Sequence, residues 1–85
     1  MKQFNYVLTK PDALHARPIS SLMREVSRFQ SSMHLIHGGK TVSLKDARRL
    51  MNEEIDSGSR LTVTIEGKDE EAAVAAIQNY FVENM

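Results

Sequence analysis

The chain has 85 residues, of which 41% are hydrophobic and 26% are charged, so we expect one small globular domain over residues 1–85 rather than a disordered segment. Lysine plus arginine and aspartate plus glutamate number 11 each, and this balance gives no support to nucleic-acid binding or to adsorption on an acidic membrane. The chain has no cysteine, which excludes disulfides and thiolate metal sites, and it shows neither a membrane-spanning apolar run nor a secretory h-region, so we expect a cytoplasmic protein.

The first half of the sequence predicts a strand, a helix and a hairpin. Alternating apolar side chains predict the first strand over about residues 2–9. An apolar stripe at helical spacing predicts the first helix over about residues 16–29. Alternation returns over residues 32–37, a glycine pair then signals a hairpin, and a short strand follows at residues 41–43.

The second half predicts a short helix, a strand and a longer helix. Apolar residues three and four apart predict a helix over about residues 46–52, and clean alternation predicts a strand over residues 60–66. The last helix is expected to begin near Asp69, whose carboxylate suits an N-cap. Its buried stripe consists of Ala73, Val74, Ile77, Tyr80 and Phe81. The order β-α-β-β-α-β-α predicts an α+β two-layer sandwich, in which helices cover one face of a four-stranded antiparallel sheet.

The run Leu14-His15-Ala16-Arg17-Pro18 carries the main chemical signal. Pro18 suits the first turn of a helix, so His15 is expected just outside the helix N-terminus. The free N–H groups and the positive dipole of such an end bind phosphate, and the guanidinium of Arg17 fits a phosphoryl group. The run therefore indicates a histidine that is itself phosphorylated. The alternative is a histidine that only caps the helix, beside a solvated arginine.

The other candidate ligands give weaker signals. His34 and His37 are three residues apart in a predicted strand, so their side chains are expected on opposite faces. The five methionines lie mostly on apolar stripes or at the ends and are expected to fill the core. We therefore predict neither a metal site nor a cofactor.

The motif in this setting closely resembles the HPr family, the histidine phosphocarriers of the bacterial sugar phosphotransferase system. The resemblance covers essentially the whole chain and implies an HPr-like fold. It rests on the length, the element order and the His-Ala-Arg-Pro string after the first strand. Further matches are the Gly-Gly-Lys turn at Gly38, the Thr-Val-Ser-Leu-Lys run from Thr41 and the exit at Gly67.

The resemblance implies a phosphoryl relay. By motif match, His15 accepts the group through Nδ1 from phosphorylated Enzyme I and passes it to a sugar-specific Enzyme IIA. Arg17 helps to neutralise the phosphate, and we expect a backbone N–H of Ala16 or Arg17 to contact it. The chain is then a substrate in a transfer chain rather than a free-standing enzyme, with no nucleic-acid or membrane partner.

Position 46 departs from many relatives, which carry a regulatory serine at the start of the short helix. Asp46 stands there in this chain. Aspartate is a good helix cap, which is one explanation. The other is a fixed negative charge that imitates phosphoserine, incompletely because a carboxylate has about half the charge of a phosphate. A smaller departure is Ala13, where relatives usually have glycine; alanine should fit unless φ there is positive.

The docking face of the short helix is the second departure. The resemblance places partner contacts on Ala47, Arg48 and Met51, on a face where relatives typically present large apolar side chains. Arg48 and Arg49 replace much of that surface with cations. They form either a solvated face with acidic neighbours at helical spacing or a surface with an altered partner preference.

Two other functions stay open on the sequence alone. One is a regulatory HPr paralogue that binds a transcription factor or a metabolic enzyme. The other is a carrier in a nitrogen-linked or dihydroxyacetone-kinase phosphorelay. The presence of His15 argues against a purely regulatory form, whereas Asp46, Arg48 and Arg49 leave it open.

Overall fold

The computed structural model describes residues 1–8, 16–52 and 58–84, without the side chains of residues 16–18, 47, 51 and 52. In chain order, the described residues form β1 (Lys2–Val7), α1 (Ala16–Val26), β2 (Ser32–His37), β3 (Lys40–Ser43), α2 (Ala47–Asn52), β4 (Arg60–Glu66) and α3 (Glu70–Asn84). This order is the one predicted from the sequence. Among these residues, no helix is long and apolar enough to cross a membrane.

Within the described part of the chain, the strands form a four-stranded sheet in the order β1-β4-β2-β3, with every pair antiparallel. Phe4 lies opposite Val63, which lies opposite Leu35, and Leu35 lies opposite Val42. All four side chains are buried. The neighbouring row is exposed or half-buried and consists of Asn5, Thr62, Ile36 and Thr41. One face therefore packs on the core while the other meets water, which confirms the two-layer fold.

Aromatic contacts of Phe81 help to hold helix α3 over the sheet. The ring of Phe81 meets the rings of Phe4 and Tyr6 edge-on, with centroid distances of 5.6 Å in both pairs. Edge-on aromatic pairs contribute about 0.5–1.5 kcal/mol beyond the area that they bury. Ala73, Ile77 and Phe81 are fully buried, and Val74 and Tyr80 pack partly against them. The predicted stripe of α3 is confirmed.

Helix α1 ends earlier than the apolar spacing predicts. The stripe continues to Phe29, but the α-helix ends at Val26. The N–H of Ser27 still donates four residues back, to the carbonyl of Met23 (2.9 Å). The N–H groups of Arg28 and Phe29 donate to carbonyls only three residues back, those of Glu25 (3.3 Å) and Val26 (3.2 Å). Such tightened turns satisfy carbonyls at a helix end. Phe29 still packs on the core from this turn, which is why its spacing resembles that of a helical residue.

Helix α3 begins directly after Asp69, as predicted, but the prediction that the Asp69 carboxylate caps the helix was wrong. The backbone carbonyl of Asp69 accepts the N–H of Ala73 (2.8 Å), which places Asp69 at the start of the helix. Its carboxylate instead accepts the N–H groups of Gln30 (2.8 Å) and Ser31 (3.0 Å) and the hydroxyl of Ser31. The Ser31 hydroxyl and the Gln30 N–H lower the pKa of Asp69 below its ordinary value. Asp69 thus ties α3 to the segment that precedes β2.

Gly67 makes this junction possible. A Cβ at Gly67 would lie 2.7 Å from both Cα and Oγ of Ser31, closer than non-bonded atoms approach, and the φ of Gly67 is +155°. The N–H of Gly67 donates to Glu70 Oε1 (3.2 Å), and the ammonium of Met1 lies 3.1 Å from Glu70 Oε2. These contacts lower the pKa of Glu70. The close approach explains the glycine that the sequence places just after β4.

Candidate functional site

Hydrogen bonds and a helix start define the backbone before and after the segment that carries the motif histidine. Before it, the N–H of Leu8 donates to the carbonyl of Ser59 (3.0 Å), and the N–H of Gly58 donates to the carbonyl of Leu8 (2.7 Å). The Leu8 side chain is buried. After it, α1 begins at Ala16, which confirms the predicted helix start. The buried strand end and the helix start thus hold the two ends of the segment that carries residue 15.

His15 itself lies outside the described residues, and so do the side chains of Ala16 and Arg17. The backbone of Ala16 and Arg17 belongs to the first turn of α1. First-turn N–H groups have no partner within their helix and carry the positive end of its dipole. That turn contains no acidic residue. The helix end next to His15 in the chain is therefore suited to an anion in both its backbone donors and its charge.

Three buried side chains anchor α1 on the core. Ile19, Leu22 and Val26 are each at most 1% exposed, and their spacing puts them on one side of the helix. Fully burying such side chains contributes roughly 1.5–3 kcal/mol each. These buried side chains hold α1 on the core, and with it the first helical turn, which directly follows His15 in the chain.

Asp46 caps α2. Its Oδ1 accepts the N–H of Arg49 (3.2 Å), and its carbonyl accepts the N–H of Leu50 (3.1 Å). This is the geometry of an N-cap residue, and it confirms the cap interpretation of the sequence. Just before it, Ser43 Oγ accepts the N–H of Lys45 (3.1 Å), which turns the chain from β3 toward α2. Leu50 is fully buried and holds the capped helix on the core.

Only part of the predicted docking surface on α2 lies among the described side chains. Arg48 and Arg49 have exposed side chains next to the capped end. The backbone of Ala47 and Met51 belongs to the same helix, but their side chains are outside the described residues. Helix α2 packs against α1, the helix that begins directly after His15 in the chain. The helix that carries the exposed arginines is therefore a neighbour of the motif helix.

An open groove beside α1 was not foreseen from the sequence. It has a volume of about 490 Å³ and is lined by Met23, Val26, Ser27 and Lys45. The Nζ of Lys45, one of the lining residues, donates to the carbonyl of Phe29 (3.4 Å). Lys45 reaches the end of α1 only through the tertiary fold, so no local pattern in the sequence predicts the groove.

The two strand histidines lie as the alternation predicts. His34 belongs to the row opposite Thr64 and Ser43 on the open face, and His37 has the opposite parity along β2. Both are half-buried. In the described part of the chain, no group of three or more histidine, cysteine, aspartate or glutamate side chains could hold a metal ion.

Sequence comparisons with known proteins point to one family. The family model described as the PTS HPr component phosphorylation site matches residues 2–83. The phosphocarrier protein HPr of Mycoplasma capricolum is 32% identical over 83 residues, which cover 98% of this chain and 93% of that protein. The chain therefore matches both the family model and a curated member over nearly its whole length.

Solved structures give the same result. The HPr of Thermoanaerobacter tengcongensis superposes with a TM-score of 0.91 at 26% identity, covering 99% of this chain and 94% of that one. A Mycoplasma histidine-containing phosphocarrier protein superposes with a TM-score of 0.89 at 32% identity, covering 96% of this chain and 93% of that one. The chain belongs to the HPr family, the phosphocarriers of the phosphotransferase system.

Proposed function

We propose that this chain carries a phosphoryl group on His15, which it accepts from phosphorylated Enzyme I and passes to a sugar-specific Enzyme IIA. The supporting observation is the start of α1 at Ala16, directly after His15, with a first turn that contains no acidic residue. Membership in the HPr family supports the same relay. Residues 1–85 act together as one carrier domain.

The transfer needs a nucleophile, a stabilised phosphoryl group and a leaving group. With its proton on Nε2, the neutral His15 imidazole attacks phosphorus through the lone pair of Nδ1. A phosphorus–nitrogen bond forms, and the bond between phosphorus and Enzyme I breaks, with its electron pair returning to Enzyme I. An ordinary histidine pKa of about 6.5 leaves most such imidazoles neutral near pH 7.5.

The chain's contribution to this step is position and charge. The first-turn N–H groups of α1, those of Ala16 and Arg17, are the proposed donors to the phosphoryl oxygens. The Arg17 guanidinium is the proposed counter-charge, because its planar fork matches phosphate oxygens. Phosphoryl transfer is catalysed mainly by positioning and charge stabilisation. Since the group stays on the chain until a second protein removes it, the chain acts as a carrier and not as an enzyme.

Incubation with phosphoenolpyruvate and Enzyme I, followed by intact mass measurement, tests the proposal. We expect the wild type to gain one phosphoryl group that is acid-labile and alkali-stable, and His15→Ala to gain none. His34→Ala and His37→Ala are matched controls, because each removes a half-buried histidine from β2, and both should be labelled like the wild type. Full labelling of His15→Ala, or an acid-stable adduct, would overturn the assignment.

A further inference from the structure

We propose that Gly58 is a positioning residue for phosphoryl transfer to His15, because it forms a β-bulge that sets the direction in which the chain leaves β1 toward His15. This role rests on the proposed function and deepens it, since it names a residue that acts on the transfer through the backbone alone.

The bulge lies directly beyond the last regular pair of β1 and β4. The register of these two strands ends with Val7 opposite Arg60. At the next position Leu8 faces two residues instead of one. Its N–H donates to the carbonyl of Ser59 (3.0 Å), and its carbonyl accepts the N–H of Gly58 (2.7 Å). Two residues of one strand against a single residue of its partner form a β-bulge.

The conformation of Gly58 identifies the type of bulge. Its φ is +91°, in the left-handed region that favours glycine. A glycine with positive φ at the first bulge position is typical of the G1 bulge. Nothing lies within 4 Å of the place that a Cβ would occupy at Gly58. Glycine is therefore required there by the backbone conformation and not by a lack of space.

The bulge holds the residue from which the motif segment departs. Leu8 is 2% exposed, and both of its backbone groups bond the bulge. Residues 9–15 follow in the chain, and α1 begins at Ala16. Because buried side chains hold α1 on the core, any change of direction at Leu8 falls on residues 9–15, the last of which is His15. Its imidazole would then shift relative to the first-turn N–H groups of α1, the proposed phosphoryl donors.

Phosphoryl transfer is sensitive to such a shift. A bulge bends the strand and increases its twist, and bulges next to active sites re-aim side chains. Transfer of a phosphoryl group depends mainly on position and charge, and a misplacement of about 1 Å can slow a reaction about a hundredfold. A bulge that only ended the sheet would change stability without changing transfer, and this difference can be measured.

The test uses chemically synthesised chains that are altered at position 58 or, as a control, at position 39. Gly58→Ala forces an L-residue onto a positive φ, whereas D-alanine at position 58 favours positive φ and should keep the bulge. Glycolic acid in place of Gly58 removes only the N–H that donates to Leu8. Gly39→Ala is the matched control, because Gly39 also has a positive φ (+80°) and nothing within 4 Å of its Cβ position, but it lies in the hairpin between β2 and β3.

Phosphorylation by Enzyme I is followed by rapid quench over a range of carrier concentrations, at a temperature at which circular dichroism shows the chains to be folded. We expect Gly58→Ala to lower the maximal rate about tenfold or more and to leave the concentration for half-maximal rate within about twofold. The D-alanine chain should recover the wild-type rate within about twofold, and the glycolic acid chain should be roughly threefold slower than the wild type. Gly39→Ala should lose stability as Gly58→Ala does but should keep the wild-type rate.

Failure of the positioning role and failure of the carrier function give different results. If the wild type is labelled and Gly58→Ala reaches the same maximal rate, the positioning role is overturned and the carrier function stands. An equal loss of rate in Gly58→Ala and Gly39→Ala would also overturn it, since stability alone would explain the loss. If Gly58→Ala does not fold, a wild-type rate in the glycolic acid chain would overturn the role in the same way. A wild type that is never labelled on His15 would overturn the carrier function and the positioning role with it.

Discussion

Replacement of Asp46 tests whether position 46 acts through its hydrogen bond or through its charge. The structure shows a single cap bond, from the N–H of Arg49 to Oδ1 at 3.2 Å, on a half-buried side chain. Loss of such a bond costs about 1 kcal/mol. In a domain of this size that corresponds to a fall in Tm of about 4–8 °C. Asp46→Ala should show this loss in thermal unfolding followed by circular dichroism.

Asp46→Asn and Asp46→Ser separate the two explanations, because both keep an acceptor oxygen and lose the charge. We expect both to unfold within about 0.5 kcal/mol of the wild type, since asparagine, aspartate and serine are nearly equal caps. Their phosphorylation by Enzyme I should quicken by at most about threefold, the effect of one rim charge. An HPr serine kinase with ATP should add no phosphate to the wild type.

Two results would refute this account of position 46. One is an Asp46→Ala variant as stable as the wild type, which would remove the cap role. The other is a gain of about tenfold or more in phosphorylation rate for both Asp46→Asn and Asp46→Ser. That gain would show a carboxylate that imitates phosphoserine, although Lys45, Arg48 and Arg49 are close to it in the sequence.

Three further predictions concern Asp69, Gly67 and Arg17. The pKa of Asp69 is lowered in the fold, so its stabilising contribution is complete above the unfolded value of about 4 and is lost as pH falls through the lower folded value; urea titrations over this range should show a flatter acid limb for Asp69→Asn, and identical limbs would contradict the contact with Ser31. Gly67→Ala should destabilise by about 1–3 kcal/mol because its Cβ meets Ser31, and by more than Gly39→Ala, whose Cβ (φ +80°) meets nothing within 4 Å; equal losses in urea titrations would leave only backbone strain. Arg17→Ala should keep its stability within about 0.5 kcal/mol but slow transfer by roughly tenfold or more, and unchanged rapid-quench kinetics would remove Arg17 from the mechanism.

Elements whose pattern is local were predicted well from the sequence. Leu61, Val63 and Ile65 alternate with polar residues, and all three are buried on the helix-covered face of β4. The cap by Asp46 was predictable for the same reason, because its acceptor and its donor are three residues apart. In these cases the neighbouring residues contain all the information that the structure uses.

Features that depend on distant segments were not predicted. Asp69 directly precedes α3, but its carboxylate bonds Gln30 and Ser31, which are 39 and 38 residues away. A capping rule uses only neighbouring positions, so it cannot foresee this choice. Phe29 keeps its core contact after the helix has ended, and Lys45 reaches the end of α1 only through the fold. For this reason the groove beside α1, which Lys45 helps to line, could be found only in the structure.

The most direct test of the central claim is a chase of the phosphoryl group through His15. The wild type is labelled with radioactive phosphate from phosphoenolpyruvate and Enzyme I, freed of both, and mixed with unphosphorylated Enzyme IIA. We expect the label to leave His15 and to appear on Enzyme IIA in equal amount, faster than it hydrolyses to inorganic phosphate. Label that stays on the chain, or that is released only as inorganic phosphate while Enzyme IIA stays unlabelled, would contradict the carrier function.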